Sequence, residues 1–148
     1  MGEWNVRTLN GSARRELFAD VLTHRGIEIC ALCETKCREE ETMSTLRSST
    51  GQGYVLYSTA AKDGVGGVGI ALRETLAESV VWWRPGDART CAIRLRCRPL
   101  DLVLVVAYAP TEQSEEKEKD GFYETLSETY QATRGDLVIV AGDFNARL

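Results

Sequence analysis

The 148-residue sequence has only one histidine, three prolines and no long apolar run. A single histidine leaves a histidine-rich zinc site without enough ligands. The longest strongly apolar run, Leu102 to Ala109, is far shorter than the ~18 residues of a membrane helix. The first residues also lack the basic and apolar segments of an export signal. These absences argue against a zinc scaffold, a membrane span and export, so we expect an intracellular protein, nuclear or cytoplasmic.

An excess of positive charge is also lacking. The 18 Lys and Arg residues are outnumbered by 22 Asp and Glu residues, which gives a net charge of -4 at pH 7. Proteins that hold nucleic acid by phosphate contacts alone present a broad basic surface. A polyanionic substrate must therefore be bound locally here.

The five cysteines are an odd number, which does not suggest a disulfide framework. Cys30 and Cys33 have the spacing of a redox motif, but they lie in an apolar, strand-like run. Residues three apart on a strand point to opposite faces of a sheet. We expect reduced and mostly buried thiols, which are typical of an intracellular compartment.

The opening of the chain predicts a strand, a helix and a second strand. Trp4–Leu9 alternates like a strand. Ser12 is the predicted cap of a helix that ends before Gly26. Ile27–Cys33 is a short apolar run of the kind that is buried in a sheet. The apolar residues of this helix recur at helical spacing and are Leu17, Phe18, Val21 and Leu22.

The rest of the chain predicts a sheet-rich middle section followed by a helix and a strand. The polar stretch up to Ser49 is predicted to be helical or irregular. A second amphipathic helix carries Phe122 and Leu126 and closes at Gly135, and Leu137–Ala141 is a last apolar strand with nothing predicted to cover it. The order of elements indicates one α/β domain with a mixed sheet. The predicted middle strands are Tyr54–Ser58, Gly67–Leu72, Ser79–Trp83, Thr90–Cys97 and Leu100–Tyr108.

One glycine-rich segment imitates a nucleotide-binding motif. Gly64–Gly69 has the spacing of a dinucleotide fingerprint, and Asp87 lies near the distance expected for a ribose-binding acid. That fingerprint must open a helix, whereas Val68–Leu72 continues as a strand. We therefore predict a hairpin and no nucleotide cofactor.

Polar residues follow several predicted strands, where open α/β sheets place their sites. Each group alone also fits an ordinary turn or loop. Together they supply carboxylates for a hard cation, amides and a guanidinium for phosphate oxygens, a phenol, and an acceptor for a water proton. The combination indicates metal-assisted attack on a phosphate ester. The groups are Asn5 with Arg7, Glu34–Thr35, Tyr108–Thr111, and Asp143 with Asn145.

The motifs, taken in order, resemble the endonuclease/exonuclease/phosphatase superfamily. Within it, they look most like the endonuclease domains of LINE-type (non-LTR) retrotransposons and the craniofacial development protein 2-like proteins derived from them. The resemblance implies a four-layer α/β sandwich, with a mixed, mostly antiparallel sheet and flanking helices. The segments that carry it are Trp4–Leu9, Glu34–Thr35, Gly66–Leu72, Tyr108–Thr111, Phe122–Leu126 and Gly142–Ala146.

The resemblance implies a role for each matching residue. Glu34 would bind Mg²⁺ or Mn²⁺, and Asn5 would orient the metal site and the phosphate. Tyr108 would support the scissile phosphate. Asp143 would position or deprotonate the attacking water, and Asn145 would donate to phosphate oxygens.

Two further residues are predicted to contact the substrate. Arg7 stands where many relatives have a second metal-binding carboxylate, so we expect a single, weak metal site. Strand alternation would place Arg7 on the same face as Asn5, where it would hold phosphate. Thr111 closes the Tyr108–Thr111 segment and is the other predicted substrate contact.

The family completes its site with a further Asp and a Ser-Asp-His motif downstream of the segment at Gly142–Asn145, and these 148 residues do not include them. His24, on the first predicted helix, is expected to be a surface residue. The resemblance therefore implies a single, C-terminally truncated domain over residues 1–148, with the second sheet largely missing and the activity impaired.

The function that these residues imply is divalent-metal-dependent hydrolysis of DNA, with the phosphate backbone as the partner. Two alternatives stay open. The chain is a non-catalytic fragment of a retroelement-derived protein, or it is a small-molecule phosphatase of the same fold, because fold alone does not decide the substrate.

Overall fold

The computed structural model describes residues 1–38, 43–133 and 137–146, which form two helices, a 3₁₀ helix and nine strands. The 3₁₀ helix spans Glu74–Ser79. In chain order, the other elements are β1 (Gly2–Asn5), α1 (Ser12–His24), β2 (Ile29–Cys33), β3 (Met43–Arg47), β4 (Gly53–Ser58), β5 (Val68–Arg73), β6 (Val80–Arg84), β7 (Thr90–Leu95), β8 (Leu102–Tyr108), α2 (Glu116–Gln131) and β9 (Leu137–Asp143).

The first sheet has five strands in the order β1-β2-β5-β4-β3. Strands β1 and β2 are parallel, with Asn5 opposite Cys33, and the other pairs are antiparallel. Helix α1 covers the outer face of this sheet. Its buried residues Phe18 and Leu22 share an apolar cluster with residues of β2, β3, β4 and β5.

The second sheet has four strands in the order β6-β7-β8-β9. Here β8 and β9 are the parallel pair, with Tyr108 opposite Asp143. Helix α2 covers the outer face, since Leu126 packs against Val103 and Val105 of β8. Each sheet therefore contains one parallel pair, and each outer face carries one helix.

The inner faces of the two sheets pack on each other. Val68 and Ile70 of β5 belong to the same buried cluster as Leu104 and Val106 of β8. The Sγ atom of Cys33 lies 3.7 Å from the carbonyl oxygen of Ala107 in the other sheet. Alternation along the strands separates this inner layer from the residues that face the helices. The result is a helix-sheet-sheet-helix sandwich, which confirms the predicted four-layer α/β class.

The cysteines confirm the expectation of free thiols. Cys30 belongs to the cluster beneath α1, and Cys33 to the cluster between the sheets, so the two side chains lie on opposite faces of β2. All five thiols are free, and only Cys97 is exposed. Burial raises the pKa of Cys30 to about 12 and that of Cys33 to about 11, which keeps both thiols protonated at neutral pH.

The expectation that the second sheet is largely missing is wrong. Strands β6 to β9 form a sheet of their own, and apolar residues on its two faces pack against the first sheet and against α2. The sequence alone predicts a single sheet, because strand periodicity does not reveal which strands pair. The expectation that nothing covers the last strand is correct only for Leu137 and Val140 of the edge strand β9, which are open to solvent, since Val138 packs toward α2 and Ile139 packs toward the first sheet.

The prediction of a helical or irregular stretch before Ser49 is wrong for Met43–Arg47, which is strand β3. This is an edge strand, and only Leu46 in it is buried. A single buried residue among polar ones leaves no alternating pattern to detect. Residues 39–42 and Gly135, the predicted end of the second helix, lie outside the described residues.

Two expectations near the start of the chain are also corrected. Strand β1 ends at Asn5 rather than Leu9, because the Oδ1 atom of Asn5 accepts the backbone N–H of Arg7 at 3.1 Å and turns the chain. Arg7 has a φ of 57°, so strand alternation does not extend to it. Ser12 is the first residue of α1 and not its cap. Gly11, with a φ of 92°, holds the cap position without a side-chain hydrogen bond.

Within the described part of the chain, no helix has both the length and the apolar character that a membrane crossing requires.

Helix α1 offers a matched test of its packing. Leu22 is fully buried, whereas Leu17 is 64% exposed although it shares the predicted apolar spacing. We expect Leu22→Ala to lower the free energy of unfolding by roughly 2–5 kcal/mol, because it opens a cavity beneath the helix. Leu17→Ala, on the same helix, should change it by less than about 0.5 kcal/mol. Urea denaturation followed by circular dichroism measures both, and equal losses would contradict the packing described here.

Candidate active site

Four polar side chains meet where the two parallel strand pairs end. Asn5 is the last residue of β1, and Glu34 directly follows β2 in the first sheet. Tyr108 and Asp143 are the last residues of β8 and β9 in the second sheet. The carboxyl ends of parallel strands lie at one edge of a sheet. Stacking of the two sheets then brings both edges together.

Strand alternation directs three of these side chains between the sheets. On β1, Trp4 packs against Phe18 of α1 with ring centroids 5.6 Å apart, so the neighbouring Asn5 points to the inner face. On β8, Tyr108 has the same parity as Val106, which belongs to the inner layer. On β9, Asp143 follows Ala141 of that layer in the same way.

Hydrogen bonds join the four residues into one cluster. The Nδ2 atom of Asn5 donates to Oε1 of Glu34 at 2.8 Å, and it lies 3.5 Å from Oδ2 of Asp143. The hydroxyl of Tyr108 donates to the same Oε1 atom of Glu34 at 3.1 Å. All four residues are half-buried. Asn5 and Tyr108 therefore fix the Glu34 carboxylate, and Asn5 also faces the carboxylate of Asp143.

The glycine-rich segment before β5 makes room for the loop that carries Glu34. The backbone N–H of Thr35 donates to the carbonyl of Gly67 at 2.9 Å. A Cβ atom on Gly67 would come within 2.6 Å of the Thr35 hydroxyl oxygen, and the φ of Gly67 is 80°. Strand β5 follows directly, which confirms a β4–β5 hairpin and excludes a dinucleotide-binding helix at this segment. The glycines thus support the site by close backbone approach.

The segment after β9 is tied to the end of β8. The Nδ2 atom of Asn145 donates to the carbonyl oxygen of Ala109 at 2.6 Å, and its backbone N–H donates to Oδ1 of Asp143 at 2.9 Å. Gly142 has a φ of 143°, and a Cβ atom there would overlap the carbonyl of Ala107. This position in the strand therefore requires glycine, which lets β9 approach β8 and sets the direction of Asp143.

The two predicted substrate contacts lie at the margin of the cluster. Thr111 is exposed and lines a pocket of about 280 Å³ together with Glu112, Gln113 and Asn145. Arg7 is exposed, and its backbone N–H is held by Asn5. His24 is exposed at the end of α1, as expected for a surface residue.

Sequence reasoning missed Arg89. Its guanidinium lies 5.3 Å from the centre of the Tyr108 ring, and its Nη1 atom donates to the Tyr108 carbonyl at 3.2 Å. Its Nη2 atom pairs with Glu118 of α2 at 2.7 Å. Arg89 lies in the turn before β7, 19 positions from Tyr108 in the chain, so no local pattern marks it. The pairing of β7 with β8 brings it to the site.

The cluster perturbs the phenol of Tyr108. Burial raises its pKa above the ordinary value, and the carboxylate of Glu34, which accepts its hydrogen bond, raises the pKa further. The guanidinium of Arg89 acts in the opposite direction. Tyr108 is therefore a protonated hydrogen-bond donor at neutral pH.

The donor set fits a hard divalent cation that keeps most of its water. Glu34 and Asp143 supply carboxylate oxygens, the ligands that Mg²⁺ prefers. Within residues 1–38, 43–133 and 137–146, no group of three or more His, Cys, Asp or Glu residues is arranged to hold a metal. The amide of Asn5 orients the carboxylates, because its Nδ2 atom donates to Glu34 and faces Asp143.

Comparison with known proteins gives a consistent result. A family model described as "Endonuclease/Exonuclease/phosphatase family" matches residues 2–148. The sequence is 26% identical over 149 residues to craniofacial development protein 2 of Bos taurus, a match that covers the whole of this chain and 24% of that protein. The chain therefore spans about a quarter of the length of the curated relatives it matches.

Solved structures share the fold. The AP endonuclease LMAP from Leishmania major superposes with a TM-score of 0.71 at 17% identity, over 95% of this chain and 53% of that chain. The endonuclease domain of TRAS1, a telomere-specific non-LTR retrotransposon, superposes with a TM-score of 0.66 at 16% identity, over 98% of this chain and 59% of that chain. TDP2 of D. rerio, complexed with a single-strand DNA product, superposes with a TM-score of 0.64 at 16% identity, over 99% of this chain and 60% of that chain.

The bond between Tyr108 and Glu34 predicts a pH-dependent contribution to stability. Tyr108→Phe should lower the free energy of unfolding by about 1 kcal/mol at neutral pH, because it removes that hydrogen bond. The folded-state pKa of Tyr108 is raised above 10.0, so the stability it contributes is complete below pH 10. Above pH 10 the unfolded phenol ionises first, unfolding releases a proton, and the advantage of the wild type over Tyr108→Phe decreases.

Urea denaturation of both proteins from about pH 8 to about pH 11 measures this difference. Tyr123→Phe, which removes a phenol on the exposed side of α2, serves as the control. A wild-type advantage that grows as the pH rises above 10 would contradict the burial and hydrogen bonding of Tyr108.

Proposed function

The chain belongs to the endonuclease/exonuclease/phosphatase family, and on this premise we propose that it hydrolyses phosphodiester bonds of DNA with a divalent metal ion. The observation that carries the proposal is the half-buried cluster of Asn5, Glu34, Tyr108 and Asp143, which four strands of two sheets bring together. The strands that carry these residues follow one another along the chain in the same order as the sequence motifs that resemble this family. Family membership supports the hydrolysis of phosphate esters. That the ester is a phosphodiester of DNA is the additional part of the proposal.

The similar structures support DNA as the substrate class. They are an AP endonuclease, the endonuclease domain of a retrotransposon, and a protein complexed with a DNA product. Identities of 14–18% among such structures show the shared fold alone. DNA is therefore proposed from the resemblance to the retrotransposon branch together with the local site, since one fold serves several substrates.

Glu34 is the residue that would hold Mg²⁺ or Mn²⁺ directly, and Asp143 would contact the ion through a bound water molecule. When bound, such an ion would neutralise charge on the phosphate oxygens and act as a Lewis acid. Asn5 would keep the two carboxylates oriented, because its Nδ2 atom faces both of them. In the free site Tyr108 donates its single hydroxyl hydrogen to Glu34, and this hydrogen would turn to a phosphate oxygen when the substrate binds.

Asp143 is suited to hold the attacking water. Its Oδ1 atom accepts the backbone N–H of Asn145, and among the described residues its Oδ2 atom has only the long 3.5 Å contact with Asn5. Oδ2 is therefore the oxygen available to accept a proton from water. Asn145 uses one amide hydrogen for Ala109 and keeps a second for a phosphate oxygen. Thr111 and Arg7 would add a hydroxyl and a guanidinium at the margin.

A plasmid assay tests the proposed reaction. We expect the chain to nick supercoiled DNA in the presence of Mg²⁺, at a rate lowered by the absence of the downstream Asp and Ser-Asp-His motif from these residues, and EDTA to abolish the nicking. Asp143→Asn should slow it by at least about 100-fold, because the acceptor for the water proton is lost. Asp120→Asn makes the same change on the exposed surface of α2 and should retain the activity.

Nicking that survives both EDTA and Asp143→Asn would contradict the proposal. Release of phosphate from small phosphate esters without nicking would favour a small-molecule phosphatase. A wild-type chain that folds but leaves both substrates intact would favour the non-catalytic alternative.

Calorimetry with Mn²⁺ tests the metal site separately. Two carboxylates leave most of the water shell on the ion, so we expect roughly millimolar affinity or weaker for the wild type. Glu34→Gln should reduce the affinity by about tenfold or more, because it removes the carboxylate that would bind the ion directly. Glu124→Gln, on the exposed surface of α2, should leave it unchanged. Micromolar binding that persists in Glu34→Gln would mean that the metal lies elsewhere.

A further inference from the structure

A groove of about 660 Å³ lies beside the candidate active site. Three segments form its walls: the loop at Lys62–Gly66 in the β4–β5 hairpin, the turn at Asp87–Arg89 before β7, and the first half of α2. The groove has a larger volume than the other pockets described here, and none of the residues assigned to the proposed reaction lines it.

Arg89 forms a wall shared by the groove and the site. It lines the groove, yet its guanidinium packs on the Tyr108 ring and donates to the Tyr108 carbonyl. The ion pair with Glu118 fixes it from the other side, and its side chain is only 22% exposed. A chain-like substrate whose phosphate lies at Tyr108 would therefore pass Arg89 and enter the groove.

The groove is lined by three cations and three acids, so its formal charge is zero, but two of the cations have no ion-pair partner among the described residues. The Oδ1 atom of Asp87 already accepts hydrogen bonds from the Arg89 and Thr90 backbone N–H groups and from the Thr90 hydroxyl. Glu118 is paired with Arg89. Lys62 and Lys117 lie on different walls, both are exposed, and neither forms an ion pair with another described residue. Asp63 is the remaining acid, and it is exposed on the outer loop.

We propose that this groove binds the sugar–phosphate backbone of the DNA strand next to the scissile phosphate, with Lys62 and Lys117 each contacting a phosphate. A chain with a net charge of -4 needs such local cations to hold a polyanion. The proposal rests on the proposed function, because the scissile phosphate at Tyr108 defines where the strand enters. It concerns binding, however, and is measurable without hydrolysis.

The salt dependence of DNA binding tests the groove. Fluorescence anisotropy with a short labelled DNA duplex in EDTA reports binding while hydrolysis is suppressed. Each lost phosphate contact should reduce the slope of log affinity against log salt concentration by about 1. We therefore expect Lys117→Gln and Lys62→Gln each to reduce the slope by about 1, and the double variant to reduce it by about 2.

Lys119→Gln is the matched control for Lys117→Gln. Lys119 lies on the same helix, does not line the groove, and pairs with Glu116 at 2.9 Å. The Lys119→Gln variant should therefore have the same salt-dependence slope as the wild type. Circular dichroism of each variant verifies that the fold is retained.

The outcomes separate this proposal from the proposed function. A slope reduced by Lys117→Gln but not by Lys119→Gln supports the groove, even if the plasmid assay shows no nicking. Equal salt-dependence slopes for Lys117→Gln, Lys119→Gln and the wild type would overturn the proposal that the groove binds DNA, even if nicking depends on Asp143. The absence of any duplex binding by the wild type would overturn it as well.

Discussion

The site depends on the packing of two sheets that each contain one parallel strand pair. A buried apolar layer, with Val68 and Ile70 on one side and Leu104 and Val106 on the other, holds the sheets face to face. Because the parallel pairs β1–β2 and β8–β9 end at the same edge of this sandwich, Glu34 and Asp143 meet although 109 positions separate them in the chain. The separation of the carboxylates is therefore set by the apolar layer beneath them.

The chain turns sharply at the ends of these strands. Arg7, Glu34 and Asn145 have φ values of 57°, 58° and 47°, in the left-handed region that most side chains avoid. Such conformations persist only where surrounding contacts compensate for their cost. Here the contacts are visible, since Asn5 accepts the N–H of Arg7, and Asp143 accepts that of Asn145. The site residues thus shape the turns that also position them.

Much of the fold was predictable from local patterns. Strands β2, β4, β5, β7 and β8 and both helices lie within a few residues of their predicted bounds, because buried strands and amphipathic helices leave clear periodicity. The errors fall where periodicity is weak. Strand β3 buries only Leu46, and Leu17 follows the apolar spacing of α1 yet faces solvent. The early end of β1 follows from a single side-chain hydrogen bond at Asn5, which competes with strand geometry.

The sequence by itself determined the residue types available for chemistry, the strands they follow, and the family that their order indicates. Tertiary structure decided how the strands divide between two sheets, which pairs run parallel, and which atoms meet. Pairing joins backbone N–H and C=O groups that every residue except proline carries, so the sequence of a strand does not specify its partner. Arg89 and the groove beside it show this most clearly. They adjoin Tyr108 only because β7 pairs with β8 and α2 packs over both strands, and these contacts join residues that are distant in the chain.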